Sequence, residues 1–327
     1  MADVAAMAGV SSQTVSRVAN NRHNVDEGTR RRVLSAMEIL GYRPNTAARA
    51  LVTGRFGVLG VISFDVTACG NTRTLAGIAD AAQEAGYSVN LIGVRAQTER
   101  AVREAFERLT VQSVDGIILI EAQILDTPAL SLPSGMPLVV ADGESGHHHP
   151  TVDVDQALGA RSVVSHLLGL GHRTVWHVAG PRDSHPARRR AQSWHHTLKT
   201  AGAPTPPVLY GDWSAASGYR AGLELAARPE VTAVFAANDQ MALGVLRALQ
   251  EAGRPVPGDV SVAGFDDIAE AEYFPTPLTT VRQDFDEVGR QCVRLLLDRI
   301  AGPDGTPRRV VLTPTLVARG STAAPRS

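Results

Sequence analysis

The 327-residue chain has only two cysteines, Cys69 and Cys292, too few for a disulfide framework and in keeping with a reducing compartment. It shows no secretory signal and no membrane-spanning segment, so the cytoplasm is the expected location and no membrane partner is expected. A Gly-x-Ser-x-Gly elbow and a Walker-type loop are both missing, which excludes the commonest nucleophilic and P-loop chemistries. Gly169 and Gly171 imitate a dinucleotide fingerprint, but the third glycine is absent and the pair closes a helix instead of opening one. The run His147, His148, His149 lies between Gly146 and Pro150 without cysteine partners, so no metal and no cofactor is assigned. Asp266 and Asp267 are the sole candidates for acid-base work, and adjacent carboxylates usually point apart, so no catalytic residue is assigned. No internal repeat or low-complexity tract appears, and the tail after Ala318 lacks leucine heptads.

What the chain does have is an uneven charge. Before Gly57 stand eight arginines (Arg17, Arg22, Arg30, Arg31, Arg32, Arg43, Arg49, Arg55) against Asp3, Asp26, Glu27 and Glu38, so this head carries +4 while the whole chain is −1. Such a head can exploit counterion release from phosphates, and the planar guanidinium suits phosphate and guanine better than an ammonium does.

The same head reads as a helix-turn-helix. An apolar first helix (Val4, Ala5, Ala8) stops at Gly9, Ser11 caps a second helix, and Val15, Val18 and Ala19 share one face of it. Its other face carries Gln13, Ser16, Arg17 and Asn20 at helical spacing, a stripe suited to base edges and phosphates in a major groove. The plainer reading is a solvated helix face. A third helix follows from Asp26, with Val33, Met37 and Leu40 inward and Gly41 as its stop. After Pro44, residues 45–51 are strong helix formers but too few to fold alone in water, so something else must order them.

These residues resemble the lac repressor/gal repressor family of transcription regulators. The shared pattern includes Asp3-Val4-Ala5, Ala8-Gly9-Val10-Ser11, Thr14-Val15-Ser16-Arg17-Val18, Asn20, Leu40-Gly41-Tyr42, Pro44-Asn45, Ala48 and Leu51. The resemblance implies that Ser12, Gln13 and Arg17 read bases and that Ser11, Thr14, Ser16 and Asn20 fix the backbone. It further implies that Asn45, Ala48 and Leu51 belong to a DNA-binding hinge whose leucine wedges into the minor groove. The family usually carries several residues ahead of the Asp-Val-Ala, with a Thr or Ser cap; here Met1 stands two before Asp3, so an uncapped first helix or a late start site is expected.

From residue 57 the pattern changes to alternating strands and helices. Strands are predicted at 57–64, 87–94, 115–120, 137–141, 174–179, 231–236 and 260–265, with helices at 75–86, 99–110, 157–169, 188–201 and 240–251. This rhythm means parallel sheets wrapped by helices, and about 270 residues of it divide into two lobes. The expected fold class is α/β, and the resemblance implies an all-α headpiece and hinge helix joined to a two-lobed, periplasmic-binding-protein-like core. The expected boundaries are a DNA-binding domain at 1–44, a hinge at 45–56, one lobe at 57–155 plus 285–312, and the other at 156–284 plus 313–327.

Ligand-facing residues of such sheets sit beyond the carboxyl ends of strands. Asn238-Asp239 and Asp266-Asp267 occupy two such ends; Asp239 and Asp267 are equally readable as caps or turn formers, whereas Asn238 and Asp266 offer an amide and a carboxylate to hydroxyls. Over the same region the resemblance is tightest to the lac repressor branch of the family. It implies that Arg190, Asn238 and Asp266 hydrogen-bond sugar hydroxyls and that Trp213 and Phe285 wall the ring. Pro186, Ser145, Ile120 and Phe64 depart from the branch at expected pocket positions, so the identity of the ligand does not carry over.

The function so implied is a repressor of carbohydrate-utilisation genes, a homodimer on double-stranded palindromic operator DNA, released by a sugar or glycoside. Sugar between the lobes would rotate one lobe and separate the hinge segments. A soluble sugar-binding protein without a DNA role and a corepressor-dependent regulator are the other readings.

Overall fold

The computed structural model describes residues 1–19, 24–42, 54–64, 66, 68–95, 98–120, 135–143, 149–302 and 308–326. It forms two units, Met1–Gly57 and Val58–Ser327.

The first unit holds three helices, α1 (Ala2–Ala8), α2 (Ser12–Ala19) and α3 (Glu27–Ile39). Gly9 takes φ 64, the left-handed conformation that glycine adopts without steric cost, and so turns α1 toward α2. No side chain caps α1 at Met1. Asp26 caps α3, its Oδ1 accepting from the Thr29 N–H at 2.9 Å. The three helices close on Val4, Ala5, Ala8, Val15, Val18, Val33, Ala36 and Met37. Leu40, expected inward, is 41 % exposed. It is the residue at which α3 ends before Gly41 turns away at φ 59, and Tyr42 packs on the cluster in its stead.

The second unit contains a six-stranded parallel sheet. Its strands are β1 (Val58–Phe64), β2 (Ser88–Val94), β3 (Gly116–Ile120), β4 (Leu138–Ala141), β5 (Thr151–Val154) and β11 (Arg309–Leu312), in the order β11-β5-β4-β3-β1-β2. A four-stranded parallel sheet in the order β7-β6-β8-β9 comprises β6 (Trp176–Ala179), β7 (Leu209–Tyr210), β8 (Ala233–Ala236) and β9 (Ser261–Ala263). Strands β10 (Thr280–Arg282) and β12 (Thr315–Val317) pair antiparallel. Helices α4 (Cys69–Glu84) and α5 (Glu99–Val111) flank the larger sheet. Helices α6 (Gln156–Gly169), α7 (His185–Thr200), α8 (Ala215–Ala226) and α9 (Asp239–Glu251) flank the smaller, and α10 (Phe285–Ala301) returns to the larger sheet against α4. Each sheet is covered on both faces, with separate apolar clusters above and below.

Two helices start earlier than the periodicity predicts, α4 at Cys69 and α7 at His185, the latter capped by Ser184 with Pro186 in the first turn, where a missing N–H costs nothing. Helix α8 has no counterpart in the predicted segments. Phe64 and Ile120, expected at the pocket, are instead wholly buried in the two clusters of the larger sheet. A strand buried on both faces offers no polar side, so strand ends alone do not tell which side chain looks outward. Among the described residues no helix is long and apolar enough to cross a membrane.

Candidate functional site

The headpiece presents Ser11, Ser12, Gln13 and Arg17 at its surface, with Thr14 and Ser16 half-buried at the same end of α2. Ser11 and Thr14 are partly engaged already: the Thr14 N–H donates to Ser11 Oγ at 3.2 Å and the two hydroxyls lie 3.0 Å apart. They therefore begin the helix as well as facing outward, while Ser12, Gln13 and Arg17 make no internal demand on the fold. Arg32 serves structure, its Nε donating to the carbonyl of Ala8 at 3.4 Å and a terminal nitrogen to Thr29 Oγ1 at 3.0 Å. Asn20, Asn45, Ala48 and Leu51 lie outside the described residues.

The second unit holds a cavity of about 340 Å³ lined by all five residues expected of an effector site, Arg190, Trp213, Asn238, Asp266 and Phe285. Pro186 lines it too; Ser145 is outside the described residues. Strand ends explain the convergence. Asp266 follows β9, Asn238 follows β8, Asp142 follows β4, and Arg190 reaches in from the second turn of α7.

Arg190 is buried and engaged through Nε and Nη1. Its Nε donates to Gln156 Oε1 at 2.8 Å, Nη1 donates to the carbonyl of Ala237, and Nη1 lies 3.5 Å from Asp266 Oδ1. The guanidinium also stacks 3.8 Å over the Phe265 ring. Of the triplet Arg188-Arg189-Arg190 this one alone points inward, as helical geometry requires. Asn238 caps α9, Oδ1 accepting from the Met241 N–H at 2.9 Å, and its Nδ2 donates to the Trp213 carbonyl at 3.0 Å and to Gln240 Oε1 at 2.9 Å. It thereby anchors Trp213, whose φ of 70 is unusual for a bulky residue.

Asp239 and Asp267 are structural. Asp239 accepts from Thr280 Oγ1 at 2.6 Å and from the Ile268 N–H at 2.9 Å, while Asp267 pairs with Arg282 at 2.6 Å and Arg319 at 2.7 Å. Asp239 thus ties the loop after β9 to β10; the cap of α9 is its neighbour Asn238.

Further polar residues belong to the site. Gln156 Nε2 donates to Gln283 Oε1 at 2.8 Å, Gln283 Nε2 donates to Asp266 Oδ1 at 2.7 Å, and Asp142 completes the wall. Asp142 follows β4 directly and Gln156 stands two residues past the end of β5, so the strand-end rule reaches them once β5 is recognised. Burial raises Asp266 to about 6 against the opposing pull of Arg190 and Gln283, and raises Asp142 to about 7 with help from Asp153. Asp212, on the rim, is held down to about 2 by hydrogen bonds from Ser214. Among the described residues the cavity thus offers one engaged guanidinium, three carboxyls, amides and two aromatic faces. Among the described residues no cluster of three or more His, Cys, Asp or Glu is arranged to hold a metal.

Residues 1–45 match the bacterial regulatory proteins of the lacI family, and residues 164–322 match the periplasmic binding protein-like domain. The transcriptional regulator CelR of Thermobifida fusca is 37 % identical over 97 % of this chain and 96 % of its own length. The lactose operon repressor of Escherichia coli K12 is 34 % identical over 99 % of this chain and 91 % of its own. Among solved structures, a lac repressor dimer bound to operator and the anti-inducer ONPF aligns with a TM-score of 0.89 at 34 % identity, covering 98 % of each chain. A CelR–cellobiose complex aligns with a TM-score of 0.75 at 35 % identity, again over 98 % of each. With an exposed recognition helix on one unit, a polar cavity in the other and full-length relatives that regulate transcription, the chain belongs to the lacI family of DNA-binding bacterial transcription regulators.

Proposed function

We propose that the chain is a dimeric repressor of carbohydrate-utilisation genes that holds a palindromic operator and is released by a neutral sugar or glycoside. The observation carrying this reading is the cavity itself, whose lining combines Arg190, Asn238 and Asp266 with the aromatic rings of Trp213 and Phe285. A pyranose has both an apolar face and a hydroxyl rim, and this lining answers each. Among the described lining residues Arg190 is the one cation and already bonds Ala237 and Gln156 beside Asp266, while three carboxyls line the same cavity, so an acidic sugar or sugar phosphate is disfavoured. The similar CelR and lac repressor structures contain cellobiose, and operator DNA with a dimer, respectively.

In this reading Ser12, Gln13 and Arg17 read bases, while Ser11, Thr14, Ser16 and Asn20 position the backbone. Asn45, Ala48 and Leu51 form a hinge folded against its partner in the minor groove. The effector region divides at the crossings between the two sheets, into 57–155 with 285–312 and 156–284 with 313–327. The protein works in the cytoplasm and turns nothing over.

Thermal shift with cellobiose, lactose, ribose and glucose 6-phosphate, followed by operator binding with and without the stabilising sugar, tests the reading. Leu51→Ala weakens operator binding and spares sugar binding, and Asp266→Ala does the reverse. Both substitutions impairing one and the same activity would defeat the two-module account.

A further inference from the structure

Gln156 and Gln283 occupy two of the crossings between the sheets. Gln156 begins α6 immediately after β5 of the six-stranded sheet, and α6 packs against α7 and strands β8, β10 and β12. Gln283 follows β10 and leads into α10, which packs on α4 and the larger sheet. Their side chains meet at 2.8 Å, so one hydrogen bond spans the two crossings.

Each glutamine also holds one ligand-facing charge. Arg190 donates to Gln156 at 2.8 Å, Gln283 donates to Asp266 at 2.7 Å, and Arg190 and Asp266 close the ring at 3.5 Å. Arginine only donates and an ionised carboxylate only accepts, so the two ends dictate which way both amides must face. All four side chains are buried, and an amide turned the wrong way would leave buried polar atoms unpaired. The ring therefore has one satisfied arrangement.

We infer that Gln156 and Gln283 are the positioning pair that carries effector occupancy from Arg190 and Asp266 to the crossings between the sheets. This rests on the sugar-effector reading. A ligand hydroxyl that accepts from Arg190 or donates to Asp266 draws one end of the ring away from its amide. The polarity is continuous, so the freed amide must find its bond elsewhere, and the Gln156–Gln283 contact changes with it. The two sheet arrangements then differ in their affinity for the ligand, which is the condition for any shift between them.

The test uses the full-length protein with Gln156→Met, Gln283→Met and both together, methionine keeping length while removing donor and acceptor. Operator affinity is measured with and without saturating cellobiose, lactose or ribose, whichever stabilises the unchanged protein, alongside amide hydrogen exchange of α6 and α10. The ratio between sugar-free and sugar-bound operator affinity is expected to fall at least about fivefold in each single variant. The double variant is expected to lose no more than the worse single one, because the ring acts as a unit. Unchanged ratios in both single variants, or losses that multiply in the double, overturn the inference. Should methionine prevent folding, Gln156→Glu retains the acceptor for Arg190 yet forces Gln283 to turn from Asp266, and an unchanged ratio there overturns it equally. If no sugar alters operator binding by the unchanged protein, the effector reading fails. The inference then falls with it, a result distinct from unchanged ratios under a sugar that does release the operator.

Discussion

Gly180 lies directly beneath the indole of Trp213, so that a Cβ at position 180 would sit inside van der Waals contact with three ring carbons. The Trp213 backbone is held at φ 70 and its carbonyl is bound by Asn238, so the indole can give way only by turning about its own side-chain bonds. Gly180→Ala is therefore expected to tilt the ring out of the cavity wall, at a packing cost of about 1–3 kcal/mol. Sugar affinity measured by calorimetry should fall about tenfold or more, which is ~1.4 kcal/mol. Operator binding without sugar should stay as it was. Equal sugar affinity in the two proteins would show that Trp213 is not part of the ligand wall.

Arg17 is exposed on α2, beyond the reach of the headpiece core. Arg17→Ala should leave headpiece folding intact and weaken operator binding by about 1–3 kcal/mol, the scale of a lost base contact. The distinguishing readout is sequence dependence. A base reader relaxes discrimination at one operator position, whereas a phosphate contact lowers affinity uniformly and makes the salt slope shallower by about one. Quantitative binding to single-base operator variants at two salt concentrations separates the outcomes, and no effect on either removes Arg17 from the interface.

The headpiece was the most legible part of the chain because its short helices obey one period around one small core: Val4, Ala5, Ala8, Val15, Val18, Val33 and Met37 are buried where the spacing puts them. Helix α8, absent from the predicted segments, carries Gly218 and Gly222, residues of low helix propensity. The structure gives them another purpose. A Cβ at Gly218 would collide with the Met241 backbone and one at Gly222 with Val245, so these glycines let α8 and α9 approach closely. At the cavity, Asp266 and Asn238 were legible as polar residues at strand ends. Gln156 and Gln283 were not: Gln156 stands after β5, a strand absent from the predicted segments, and Gln283 meets its partner across 127 residues of sequence.

Burial sets the pH response of the effector unit. Asp239 is raised to about 8, chiefly by burial and then by Asp266 nearby, with Asp142 at about 7 and Asp266 at about 6. Each carboxyl holds its proton more tightly folded than unfolded. Between the unfolded value near ~3.9 and each folded value the native state binds more protons, so stability falls as pH rises, and the full penalty is present above about pH 8. Asp239→Asn removes one of these protons while an amide still serves Thr280 and Ile268. Melting temperatures recorded from about pH 6 to pH 8 should decline less steeply in this variant than in the unchanged protein. Parallel curves would mean that Asp239 is ionised throughout.

The last residues brace the smaller sheet. Ser321 Oγ donates to the Val262 carbonyl at 2.6 Å and accepts from the Thr279 N–H at 2.7 Å, while the Val262 N–H donates to the Ser321 carbonyl at 2.9 Å. Two residues on, the Ala323 N–H donates to Ser261 Oγ at 3.0 Å, and the Ala323 carbonyl lies 3.0 Å from His172 Nε2. Ser321 is wholly buried, so Ser321→Ala strands a backbone donor and a backbone acceptor away from water, each worth about 1–3 kcal/mol. Thermal unfolding should drop by several degrees. Because β9 leads directly to Asp266, sugar affinity should fall as well, whereas Arg326→Ala, which removes only an exposed pair with Asp259, should change neither. If Ser321→Ala lowered stability while leaving sugar affinity untouched, the brace would support the fold without positioning the carboxylate that faces the ligand.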